Sequence, residues 1–91
     1  MDVAQIKEEL KSLEGWIFLE EKNTIHKEFI FKSYLKNISF VNVVAWLANK
    51  HNHHPDLFVS FNKCIVTLTT HDEKNVVTEK DITLARSINE L

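Results

Sequence analysis

Apolar residues recur at helical spacing in three stretches of the chain, and runs rich in β-branched and aromatic residues lie between them. Over residues 2–13, Val3, Ile6, Leu10 and Leu13 share one face, with Lys7, Glu8, Glu9 and Lys11 between them. This spacing predicts an amphipathic helix, which Gly15 ends. Residues 16–19 and 25–31 are rich in β-branched and aromatic side chains around a polar turn at 21–24, the pattern of a hairpin. From Ser33 the helical period returns. Tyr34, Ile38, Val41, Ala45 and Ala48 fall on one stripe, and Phe40, Val44, Leu47 and His51 on its neighbour. So wide a stripe predicts a well-buried helix, and it must stop before Pro55 because the residue preceding a proline avoids the helical region.

Residues 56–61 and 64–70 predict a second hairpin turning at Asn62 and Lys63. A two-residue loop there pairs Phe61 with Cys64, Val59 with Val66 and Leu57 with Leu68, so that one face is wholly apolar. Phe58, Ser60, Ile65, Thr67 and Thr69 form the other. Thr78 followed by Asp81 is a capping-box pattern, after which Ile82, Ala85 and Ile88 mark a helix stripe that Leu91 can extend. The order α-β-β-α-β-β-α predicts an α+β fold: a four-stranded antiparallel sheet with three helices packed on one face. Without repeat, linker or change of composition, residues 1–91 read as a single domain.

Charge and composition narrow the function classes. Eleven Lys and Arg against 13 Asp and Glu leave a formal charge of −2, too little positive field to draw a nucleic acid. Neither a membrane span nor an export segment is visible, and the lone Cys64 suits a reducing compartment, so a cytoplasmic location is expected. Cys64 lies on the apolar strand face and reads as an inert buried thiol. A single Gly excludes a glycine-rich phosphate cradle. A domain this small is marginal alone, and the partly apolar outer surface at Phe58 and Ile65 favours a homo-oligomer.

Candidate chemistry gathers at histidines. His51, His53 and His54 follow the long helix, and His71 ends the last strand. Extending the second hairpin outward places His54 opposite His71, which brings imidazoles from distant segments to one mouth. Imidazole donates and accepts protons near neutrality, so acid-base catalysis is available there. Three imidazoles and a water would also make a catalytic zinc shell, although no HExxH spacing occurs. For His51 a helix C-terminal role is the simpler reading, and for His26 a surface position on a strand. Asp81 reads as a helix-capping carboxylate, and Asp72 could orient the adjacent His71 or simply be solvated.

The strings His53-His54-Pro55-Asp56, Phe61-Asn62-Lys63 and Thr70-His71-Asp72, then Thr78 to Asp81 with Leu84 and Ala85, resemble the pterin-4a-carbinolamine dehydratase family. The resemblance runs from about Leu13 through Gly15, Trp16, Phe29 and Phe31 to the last helix. It implies a small α+β domain that assembles into dimers or tetramers. It also implies a metal-free dehydration of 4a-hydroxytetrahydropterin, formed when aromatic amino acid hydroxylases use their cofactor, to quinonoid dihydropterin. The family's active-site histidines fall on His53, His54 and His71, its aromatic on Phe61 and its distal aspartate on Asp81, with Asn49 and Asp72 as further pterin-contacting candidates. His53 and His71 would be the proton-transfer pair, with His54 mainly binding the pterin. One departure is Asn49, where the family usually carries an acidic residue four positions before the first histidine of the pair. An amide keeps hydrogen bonding there but loses the charge. Animal members of the family also act as coactivators that bind a transcription factor's dimerisation helix, so a non-catalytic binding module is the alternative to the enzyme.

Overall fold

The computed structural model describes residues 1–91. The elements follow one another as α1 (Val3–Leu10), β1 (Ile17–Leu19), β2 (Thr24–Ile30), α2 (Tyr34–His51), β3 (Asp56–Val59), β4 (Lys63–Leu68), a single 3-10 turn (His71–Glu73) and α3 (Glu79–Asn89). The four strands form one antiparallel sheet in the order β1-β2-β4-β3. This is the α+β architecture that the periodicity predicts.

Local chemistry sets the helix starts. Asp2 caps α1 in a capping box with Gln5, Ser33 caps α2 by accepting from the Lys36 N–H, and Thr78 and Asp81 close a capping box on α3. α1 is shorter than its apolar spacing predicts. It ends at Leu10, and Leu13 reaches the core from the turns that follow. Gly15 sits there at φ +84°, where an added Cβ would lie 2.6 Å from Lys27 Cε. Lys27 needs that space because its Nζ donates to the Glu14 carbonyl and to Asn89 Oδ1.

The sheet has two unlike faces, as strand alternation requires. On one, Ile25 of β2 and Cys64, Val66 and Leu68 of β4 are buried beneath Ile6, Val44, Leu47, Ala48, Ile82, Ala85 and Ile88 of the helices. The other face carries no helix, and Ile17, Ile30 and Phe58 are exposed on it.

The second hairpin differs from its predicted register. Val59 faces Cys64 and Leu57 faces Val66, a slide of two residues, and Phe61 leaves the ladder for the turn. The loop is therefore Phe61 and Asn62, closed by the Ser60 N–H donating to the Lys63 carbonyl at 2.9 Å. A two-residue slide keeps every side chain on its predicted face, so the apolar pattern could not distinguish the two pairings. Asn37 on α2 accompanies the observed one. Its buried Nδ2 donates to the carbonyls of Ser60 at 2.8 Å and Lys63 at 3.0 Å, the two residues that flank the loop.

Candidate functional site

α2 ends at Asn52, whose left-handed backbone (φ 51°) turns the chain into the extended His53-His54-Pro55 segment. The His53 N–H donates to the Ala48 carbonyl, which fastens that segment to the helix end. Consecutive extended residues face opposite ways, and the two histidines diverge accordingly. The His53 side chain is 11% exposed and lies against α3, whereas His54 is open to solvent.

Asp81 is the partner of His53, at 2.5 Å from Nε2 to Oδ1. Its carboxylate is fully buried. The other oxygen accepts from Thr70 Oγ at 2.8 Å and from the Thr78 N–H at 2.9 Å. Thr78 Oγ lies 2.7 Å from Thr70 Oγ, so the Thr78 hydroxyl donates to Thr70 Oγ while the Thr70 hydroxyl donates to the carboxylate. Such a chain satisfies a buried charge and fixes its orientation. Asp81 thus does two things at once: it caps α3 and anchors the His53 ring. When Nε2 donates to this carboxylate, Nδ1 is the ring nitrogen left to meet a ligand.

β4 ends at Leu68, before the predicted limit, and His71 opens the 3-10 turn beyond it. Thr70 pairs with Val76 in an isolated bridge that closes the loop containing His71. No ladder pairs His54 with His71, yet the loop brings them together. Asn52, His53, His54, Thr70, His71 and Asp72 line one cleft of about 120 Å³. The ring of His71 is oriented by Asn75, whose Oδ1 lies 2.6 Å from Nδ1, and not by the adjacent Asp72.

A larger cavity of about 410 Å³ lies alongside, lined by Ala45, Trp46, Ala48, Asn49, His54, Pro55 and Leu57. His54 lines both spaces and forms their shared wall. Asn49 lines this cavity from the last turns of α2, on the side of His54, and does not line the cleft of His53 and His71.

Among the remaining candidates, Phe61 stands apart. It is exposed at the β3–β4 turn, stacked on Tyr34 at 6.4 Å between ring centroids, and the length of β3 separates it from His54. Within one chain it does not join the cleft. Asp81 is sealed beneath His53, so it reaches a ligand only through that imidazole. No three His, Cys, Asp or Glu side chains are arranged to hold a metal ion. Sequence reading placed Thr70 in the motif without a role and did not single out Asn75. Thr70 stands eight positions before the Thr78 cap, and the reach of Asn75 depends on two left-handed residues, so neither carried a local signal.

A profile of the family described as pterin 4 alpha carbinolamine dehydratase matches residues 1–91. The chain belongs to that family. A protein of Aquifex aeolicus, named as a candidate pterin-4-alpha-carbinolamine dehydratase, is 52% identical over 87 residues, covering 96% of this chain and 85% of the relative. A relative with the same name from Sulfolobus acidocaldarius is 40% identical over 91 residues, covering 100% and 97%. The crystal structure of a transcriptional coactivator/pterin dehydratase from Brucella melitensis superposes with a TM-score of 0.93 at 37% identity, over 99% of this chain and 95% of that one. A pterin dehydratase-like protein described as a RuBisCO assembly factor shares the fold at a TM-score of 0.71 and 19% identity, over 85% of this chain and 88% of its own.

Proposed function

We propose that this chain dehydrates a 4a-hydroxytetrahydropterin to the quinonoid dihydropterin, with His53 and His71 moving the protons. One observation carries the reading: the two imidazoles line a single cleft, each held through one ring nitrogen by a different partner. Those partners divide the labour. His53, backed by the buried Asp81 carboxylate as a triad histidine is backed by its aspartate, is the proton donor. His71 has a neutral amide and is the acceptor.

Loss of water then proceeds without a redox step. The C4a–O bond breaks with its electron pair going to oxygen, which takes the His53 proton and leaves as water. The proton on the neighbouring ring nitrogen passes to His71, and the freed pair forms the C=N bond. At about 120 Å³ the histidine cleft is smaller than ligand pockets usually are, roughly 300–1,000 Å³, whereas the adjoining cavity of about 410 Å³ falls in that range. The bicyclic ring would occupy the cavity against Trp46, Leu57 and Pro55, with Asn49 and His54 as its polar contacts and its reacting edge turned past His54 to the cleft.

The test is the decay of enzymatically generated 4a-carbinolamine, followed by absorbance at a pH where spontaneous loss is slow. The protein should accelerate that decay, and prolonged chelation should leave the rate unchanged. Activity lost on chelation and restored by zinc would replace this mechanism with a metal-centred one. Pterin binding without acceleration would support the non-catalytic binding module.

A further inference from the structure

The loop after β4 contains a feature that the dehydration chemistry alone does not use. Lys74 and Asn75 both occupy the left-handed region, at φ 65° and 62°, a conformation that side chains other than Gly adopt at a cost. Three backbone bonds hold them there: the Lys74 N–H to the His71 carbonyl, the Asn75 N–H to the Thr70 carbonyl, both at 3.1 Å, and the Thr70 N–H to the Val76 carbonyl at 3.0 Å. This double left-handed turn folds the loop back on itself and sets Asn75 Oδ1 2.6 Å from His71 Nδ1.

We propose that Asn75 is a positioning residue that fixes the tautomer and the ring orientation of His71, which deepens the reading of His71 as the proton acceptor. An amide oxygen only accepts, so the ring nitrogen facing it must carry the proton. The neutral His71 then holds its lone pair on Nε2, the nitrogen left for the cleft. Nothing else around the ring can impose this choice. Asp72 lines the same cleft but makes no hydrogen bond to His71, and His53 is committed to Asp81. His54, the remaining titratable group in the cleft, is open to solvent, as are Glu73 and Lys74 on the turn itself.

Asn also tolerates the left-handed region better than most residues, so a turn role alone must be separated from the positioning role. Asn75→Gly does this, because Gly adopts the same backbone conformation and lacks only the amide. Long-range ¹⁵N NMR of the imidazoles should show His71 of the parent protein in the Nδ1–H tautomer, and a mixture with the Nε2–H form in Asn75→Gly. Turnover of the 4a-carbinolamine should fall about 10- to 100-fold, the loss seen when a metal-bound histidine is deprived of its hydrogen-bonding partner. Asn75→Asp keeps the acceptor. It should retain the Nδ1–H tautomer and move the His71 limb of the pH–rate profile upward, since a carboxylate favours the charged ring. An unchanged His71 tautomer in Asn75→Gly would overturn the proposal and leave Asn75 as a turn residue. Because the NMR result does not depend on turnover, a tautomer shift in a protein with no dehydratase activity would uphold the contact and reject the reading of the function.

Discussion

His53 and His54 are neighbours in the chain with opposite surroundings, and that division organises the site. His53 is held by a buried carboxylate, while His54 stands at the wall between cleft and cavity. Asn49 shares the cavity with His54, at the position where the family resemblance implies an acid. A carboxylate there would help keep a nearby imidazole protonated, so Asn49→Glu should raise turnover at mildly alkaline pH more than at pH 6. Equal gains at both would show that position 49 does not act through the histidines. Cys64 offers a second check at this scale. Burial pushes its thiol up from the ordinary value. A raised thiol contributes stability that is intact below the unfolded pKa, near 8.5, and is lost as pH rises through the folded one. Unfolding free energy should therefore decline above about pH 8.5, and less so in Cys64→Ala. An identical alkaline decline in the variant would assign it to other groups.

Elements were legible in the sequence wherever the information was local. The capping box of Thr78 and Asp81 and the stop before Pro55 rest on residues within a few positions of one another, whereas the wide stripe expected to bury α2 buries only Val44, Leu47 and Ala48 and leaves Tyr34, Ala45 and His51 exposed. The register of the second hairpin was not legible, because a two-residue slide preserves its faces and Asn37 lies 23 positions before Ser60. Asp81 was readable as a cap but not as the anchor of a histidine 28 residues away. Asn75 was invisible for another reason: its reach to His71 depends on two left-handed residues that no turn motif announced. Asn37 provides a test at this scale. Asn37→Ala strips a donor from the carbonyls of Ser60 and Lys63 and should cost about 1–3 kcal/mol. Urea unfolding would read that loss, and faster amide exchange would be confined first to the β3–β4 turn. A stability equal to the parent's would show that the turn closes without the clamp.

The whole molecule has all three helices on one side of the sheet, so the other side carries exposed Ile17, Ile30 and Phe58. None of its helices is long and apolar enough to cross a membrane. A chain this short with such a face is expected to self-associate. Light scattering at low micromolar concentration should give a dimer or tetramer, and a monomer would contradict that expectation. The exposed Phe61, remote from the cleft of its own chain, is the residue whose role such an assembly would decide.

The central claim is that His53 and His71 together move the protons of one dehydration. Its most direct test is the carbinolamine decay rate of His53→Ala and His71→Ala beside the parent protein, with folding verified by circular dichroism. Each variant should lose roughly 100- to 10,000-fold in turnover, the usual worth of one positioned acid or base. Parent-like rates in both folded variants would contradict the account.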